Sequence, residues 1–220
     1  MRATTLLNRL VHLPKTTIRD VEFGAEATLW VRPQQRVMSC PHCDFRTRHR
    51  YDTRDVDSTW RHLDLSGQVC VLKLRRRRLR CPEHGVLAES VPFARPGSGF
   101  TRDFEDLVVW LATKCDKKTV STFCRVAWRT VGAMCSRVMA EKLDTDRLSG
   151  LVDIGVDEIS WRKHHKYLTL VSNHDTGKIV WGAPGKNAAT LDVFFTEALP
   201  ADGAKKIQAG SMDLGPAFAK

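Results

Sequence analysis

The spacing of apolar and polar positions changes period twice along the chain. In the first ninety or so residues it alternates. TTIRDVEF (16–23) and ATLWVRP (27–33) are short alternating runs with Gly24 between them and Pro33 closing the second, so both read as strands. RHLDLS (61–66) and QVCVLKLRRRRLR (68–80), joined at Gly67, read as a hairpin. PFARPGSGF (92–100) is rich in Pro, Gly and Ser and reads as a linker. Beyond it the period becomes helical: Phe104, Leu107, Val108, Leu111 and Cys115 share one face. Thr101 suits the N-cap, and Asp103, Glu105 and Asp106 suit the positive end of the helix dipole. KTVSTFC (118–124) predicts a second helix, RVAW a turn, and Arg129 to about Leu143 a third helix with Val131, Met134, Cys135 and Val138 inward.

After the polar stretch 142–150 the alternation returns. LVDIGVDEIS (151–160), HKYLTLVS (165–172) and KIVWGAP (178–184) predict three meandering strands, with HDTG (174–177) as the turn between the last two. AATLDVFFTEAL (188–199) is a helix with Leu191, Phe194, Phe195 and Ala198 on one face, and IQAGSMDL (207–214) a further strand. The order is β-β-β-α-β. A right-handed crossover lays the last strand parallel to the first and beside it. The fold class is therefore α+β and multidomain: a β-rich domain over 1–95, three helices over 96–147 and a mixed domain over 148–220.

Composition adds a partner. Lys and Arg total 35 against 25 Asp and Glu, and a net charge of +10 points to a polyanion, nucleic acid above all. No run of 18 apolar residues is present, so no membrane span is expected. The first twenty residues carry Arg2, Arg9, Lys15 and Arg19 without an apolar core, so no signal peptide is expected and the chain reads as cytoplasmic. Seven cysteines, an odd number, then point to reduced thiols and metal rather than disulfides.

Two knuckles supply the metal chemistry. CPHC offers Cys40 and Cys43, and CPEH offers Cys81 and His84, the paired spacing that a tetrahedral structural zinc requires. The separation is longer than in a simple ribbon, with a hairpin as filler, and His42 is a competing ligand. Cys70, Cys115, Cys124 and Cys135 fall on apolar faces and read as core.

The charge is concentrated between Arg32 and Arg80, with 13 Lys and Arg against 5 Asp and Glu. Arg75, Arg76, Arg77 and Arg78 alternate faces on a strand and are candidates for phosphate contact, the alternative being a charged, solvated edge. On the third helix, small and basic residues face away from the apolar stripe. Arg129, Thr130 and Arg137, with Lys118 and Arg125 upstream, are candidate DNA contacts; an ordinary helical bundle is the competing reading. Asp157 and Asp213 close apolar strands that the topology brings together, as a site for a hard divalent cation needs. Asp153 lies on the same strand face as Asp157 but farther along, and Glu158 points to the opposite face.

The order CPHC, CPEHG, helix-turn-helix, IGVDEISWRKHHKYLTLVSNHDTG and SMDLGPAF resembles the ISL3-type insertion-sequence transposases over essentially the whole chain. The resemblance implies an RNase H-like Asp-Asp-Glu catalytic domain, with Asp157 and Asp213 as its first two acids and Mg²⁺ as its metal. It also implies binding to double-stranded transposon ends and a homo-oligomer when the enzyme is complete. The second knuckle departs from the commoner Cys-x-x-Cys by offering His84, still a zinc ligand. No residue here matches the family's third acid, a Glu from a later helix. The expectation is an N-terminal half, with an inactive DNA-binding fragment or regulator of transposition as the alternative.

Overall fold

The computed structural model describes residues 2–162 and 166–212, with backbone alone at 161 and 162. It divides into two units, Met1–Lys142 and Leu143–Lys220.

The first unit begins with α1 (Ala3–Leu10), followed by β1 (Thr16–Phe23) and β2 (Ala27–Pro33). Three two-residue strands come next: β3 (Met38–Ser39), β4 (Arg46–Thr47) and β5 (Asp52–Thr53). Then come β6 (Ser58–Leu65), β7 (Gln68–Leu74), β8 (Arg77–Cys81) and β9 (Gly85–Ala88). Three strand expectations hold: β1, β2 and the β6–β7 hairpin, whose turn uses Gly67 at φ +82°.

The hairpin is not a filler between knuckles. It joins β1 and β2 in one four-stranded sheet of order β1-β2-β7-β6, with β2 and β7 parallel. Alternate residues Ala27, Leu29 and Val31 on β2 and Cys70, Leu72 and Leu74 on β7 are buried, against Ile18, Trp60 and Phe93. The helix α1, which the strand pattern of residues 1–36 does not suggest, covers this core with Leu7. Asn8 fixes it to the sheet: its Oδ1 accepts from the Ile18 amide at 2.8 Å and its Nδ2 donates to the Ile18 carbonyl at 2.9 Å.

The expected long strand 68–80 is two strands in different sheets. β7 ends at Leu74, and β8 pairs with β5 and β9 in a three-stranded sheet that leads into the second knuckle. Arg76 marks the break. Its guanidinium donates to the carbonyls of Glu89 (3.0 Å) and Ala88 (3.1 Å) and lies 5.9 Å from the Trp60 ring. The expected linker is also packed. Phe93, Ala94 and Arg95 are buried, and Ala94 pairs with Thr101. Its Pro and Gly residues shape a turn into the helices.

The helices are α2 (Arg102–Ala112), α3 (Lys117–Cys124) and α4 (Trp128–Lys142). Thr101 caps α2 by accepting from the Phe104 amide, and Asp116 caps α3. Phe104, Val108, Val120, Cys124, Val131 and Met134 form their core. Leu107 leaves the expected stripe and is exposed, while Glu105 is fully buried. Of the four cysteines expected in the core, Cys70 and Cys124 are buried and Cys135 half-buried; Cys115 is exposed.

The second unit contains β10 (Asp153–Arg162), β11 (Lys166–Asn173) and β12 (Lys178–Pro184). After them come α5 (Ala188–Val193), which runs on as a π turn over Phe194–Ala198, then α6 (Gly203–Lys206) and β13 (Ala209–Met212). The sheet order is β12-β11-β10-β13, and β13 runs parallel to β10, as the crossover argument expects. Phe194 is fully buried between Trp181 and Phe195, over Ile154, Val156, Val171 and Val180.

Candidate zinc centre, nucleic-acid interface and acidic site

Each knuckle is a turn between two short strands. In the first, the Cys40 amide donates to the Phe45 carbonyl at 2.9 Å, and the His42 amide donates to Cys40 Sγ at 3.4 Å. In the second, Cys81 pairs with Gly85 across the β8–β9 turn, where Gly85 adopts φ +69°. Met38, Leu79, Leu87 and Phe45 pack around the result. The ligand atoms of Cys40, Cys43, Cys81 and His84 all lie within 4.8 Å of one another. Cys43 Sγ is 3.6 Å from Cys81 Sγ, and His84 Nδ1 is 3.6 Å from Cys81 Sγ and 3.8 Å from Cys40 Sγ. A tetrahedron with Zn–S bonds of about 2.3 Å has edges of about 3.8 Å. The donor set and its spacing therefore fit structural zinc. His42 stays outside the cluster, its ring 5.3 Å from that of His84.

The thiols respond to this crowding. Burial opposes ionisation of Cys81, but hydrogen bonds from the His84 side chain and from the His84 and Glu83 amides outweigh it and bring its pKa down to about 6. For Cys43 the Phe45 amide favours the thiolate. Burial and the neighbouring Cys81 and Cys40 sulfurs oppose it and push the pKa up to about 12. Crowded sulfurs cannot all ionise without a cation among them.

The candidate DNA contacts divide by what already holds them. Arg75 is 69% exposed, with Asp57 as its one ion-pair partner among the described residues, at 3.6 Å. Arg76 is spent on backbone carbonyls, Arg77 on the nearly buried Glu89 carboxylate, and Arg78 on Asp52. On the helices, Arg129 and Lys118 are exposed and Thr130 is half-buried. Arg125, in the left-handed conformation after α3, pairs with Asp64 and donates to the Gly67 carbonyl at 3.1 Å. Arg137 donates to Glu105 from Nε at 2.8 Å and Nη2 at 2.6 Å.

Glu105 is the centre of a network that helical spacing conceals, because a Glu in a first turn reads as a dipole partner. Arg95 reaches it at 3.1 Å and also bonds Asp106 at 2.8 Å and Glu141 at 2.5 Å. Arg102 joins Glu141, and Lys142 reaches Asp106 at 2.7 Å. The former linker and α2 are thereby tied to α4. Burial opposes ionisation of Asp106, but Lys142 and Arg95 outweigh it and hold the carboxyl below its ordinary pKa; Arg102 and Arg95 do the same for Glu141.

In the second unit Asp157 is exposed on β10, its Oδ1 accepting from the Glu158 amide at 2.7 Å. Glu158 Oε1 is buried with no hydrogen-bond partner among the described residues. Asp153 lies opposite Ala209, at the far end of the parallel pairing. The register runs to Val156↔Met212, so Asp157 is the next residue on β10. Asp213 lies outside the described residues. His174, read from sequence only as a turn residue, places Nε2 2.7 Å from Ser211 Oγ across Gly155. A Cβ at Gly155 would come within 2.7 Å of Ser172 Oγ and 3.2 Å of the His174 ring.

Comparison with known proteins assigns each segment. The zinc-finger of transposase IS204/IS1001/IS1096/IS1165 matches residues 36–84. The helix-turn-helix domain of transposase family ISL3 matches 89–139, and the ISL3 DDE transposase domain matches 154–220. All three matched models describe segments of insertion-sequence transposases, and they follow one another along this chain. The family is ISL3, and the chain belongs to it.

The transposase for insertion sequence element IS1557 of two Mycobacterium tuberculosis strains is 41% identical over 223 residues, covering 97% of this chain and 50% of the relative. The transposase for IS1001 of Bordetella parapertussis is 26% identical over 198 residues, covering 89% of this chain and 48% of the relative. The chain thus spans about half the length of the curated relatives it matches. No solved structure matches it. No helix among the described residues is long and apolar enough to cross a membrane.

Proposed function

We propose that this chain binds duplex DNA at the ends of an insertion sequence through its first unit and contributes Asp157 and Asp213 to metal-dependent cleavage and strand transfer. The observation that carries the DNA-binding part is the two-sided character of α4. It buries Val131, Met134 and Val138 and leaves Arg129, Ala133 and Ser136 exposed, small and basic, as a helix entering a major groove requires. Arg129 and Lys118 are the direct contacts in this reading, with Thr130 at their margin. Arg125 and Arg137 position the helices, and Arg75, with Arg76, Arg77 and Arg78 behind it, belongs to the basic face of the zinc-bearing part. Zinc at Cys40, Cys43, Cys81 and His84 is structural.

The parallel β13 beside β10 supports an RNase H-like half-fold for the second unit, with β10 delivering the first acid. Mg²⁺, when bound, supplies a Lewis acid and an activated water for phosphodiester chemistry. Asp157 and Asp213 are the residues of this chain that would hold it, and a homo-oligomer is the expected active assembly. The test is fluorescence anisotropy with a duplex of the element's terminal repeat against a scrambled duplex. Tighter binding to the repeat, reduced to parity by Arg129→Ala, is expected; equal affinity for both duplexes in the unaltered protein would refute end recognition.

A further inference from the structure

Away from the helices, a cleft of about 460 Å³ opens where β2 and β7 end. It is lined by Arg32, Arg36, Arg50, Arg75 and Arg77, with Gln34, Gln35 and Thr53 among the polar remainder and no carboxylate in its wall. Arg77 is committed to Glu89, and the other four are exposed. Arg32, Arg36 and Arg50 form no ion pair among the described residues, and Arg75 has only the 3.6 Å approach of Asp57. Several guanidinium groups elsewhere in this unit are spent on partners: Arg61 and Arg125 on Asp64, Arg78 on Asp52, and Arg95, Arg102 and Arg137 on the helical acids. A second, smaller cavity shares Pro33, Gln35 and Arg77 with the cleft and adds the exposed Lys15 and Arg46; its carboxylate, Glu89, is taken up by Arg77, so exposed cations continue beyond the cleft.

Four exposed guanidiniums around one cleft, three of them without an ion pair among the described residues, repel one another, and a multivalent anion relieves that repulsion. Planar guanidinium forks match phosphate oxygens, and the side-chain amides and Thr53 hydroxyl add neutral donors. We propose that the cleft of Arg32, Arg36, Arg50 and Arg75 is a seat for the phosphate backbone of duplex DNA, separate from the helix-turn-helix. The partner is duplex backbone rather than a lone anion because the cations run on past the cleft mouth to Lys15 and Arg46. This inference deepens the DNA-binding reading and rests on it. It also moves the phosphate contact from the Arg75–Arg78 strand to residues brought together from three parts of the sequence.

The experiment uses the full zinc-loaded chain and a labelled duplex of arbitrary sequence, titrated across salt concentrations. One variant carries Arg32→Gln, Arg36→Gln, Arg50→Gln and Arg75→Gln. A charge-matched control carries Arg9→Gln, Lys178→Gln, Lys205→Gln and Lys206→Gln, all exposed and outside the cleft. Zinc content and melting temperature report folding, and the double variant Arg32→Gln/Arg50→Gln serves if the quadruple one fails to fold. Each phosphate contact contributes about 0.9 to the slope of log affinity against log salt. The cleft variant is expected to flatten the slope by roughly 2–4 and to weaken binding at least about tenfold at low salt, with the control near the unaltered protein. A cleft variant that matches the control overturns the seat; retained end preference that depends on Arg129 would leave the helix-turn-helix reading standing. An unaltered chain that binds no duplex overturns both.

Discussion

At the scale of single residues, the zinc ligands and the buried Glu105 make opposite demands on their surroundings. Replacing Cys40 with Ser leaves three ligands and is expected to release zinc to a chromogenic chelator under conditions where the unaltered chain retains it. Glu105 is fully buried between Arg95, itself only 4% exposed, and Arg137. Glu105→Leu keeps the volume but takes from buried Arg95 one of its three carboxylate partners and from Arg137 its carboxylate partner, a loss at or below the lower end of the about 3–5 kcal/mol of a broken buried pair; urea unfolding checks the loss. The same network sets an acid limit. Asp106 and Glu141 have folded pKa values below their ordinary 3.8 and 4.5. Their contribution is complete above that range, where both states are ionised, and is lost as pH falls through the lower folded values. Melting temperature against pH should therefore decline below about pH 4.5, and less so in Glu141→Gln. The knuckles could be read from their spacing alone. Glu105 could not, because its partner Arg95 lies in a segment whose Pro and Gly content suggests only a linker.

At the scale of elements, the periodic signals were legible wherever a side-chain pattern alone chose the structure: β1, β2, the β6–β7 hairpin, the three helices and the meander into a parallel strand. They failed where a contact across the fold decided. α1 depends on Asn8 bridging to the Ile18 backbone, and the break between β7 and β8 depends on Arg76 capturing carbonyls of the 88–89 segment. The α3–α4 junction gives a test of such a contact. Gly132 costs a helix about 1 kcal/mol relative to Ala. A Cβ there would lie 2.8 Å from Lys117 Nζ, which sits 3.4 Å from the centre of the Trp128 ring. Gly132→Ala should therefore stabilise by less than the helix propensity alone, because Lys117 must leave the indole; a shifted Trp128 indole N–H resonance would show that departure.

At the scale of the whole molecule, the join between the two units falls in a polar stretch whose Asp144, Thr145 and Asp146 are exposed. Brief trypsin treatment is expected to cut first at Lys142 or Arg147, giving two fragments, of which only the larger carries zinc. Early cleavage inside 92–100 instead would mean that the packed connection is loose in solution. The parallel pairing of β2 with β7 bears on how the first unit assembles in time. Hairpins β1–β2 and β6–β7 close locally and fast, but their junction must enclose residues 34–67, the non-local kind of contact that slows a search. Cys43 lies inside that enclosed stretch and Cys81 just beyond it, so a cation held by both draws the stretch shut before the strands meet. In stopped-flow refolding, chain premixed with zinc should close its central sheet faster than chain given zinc afterwards, while the helical signal rises at the same rate in both.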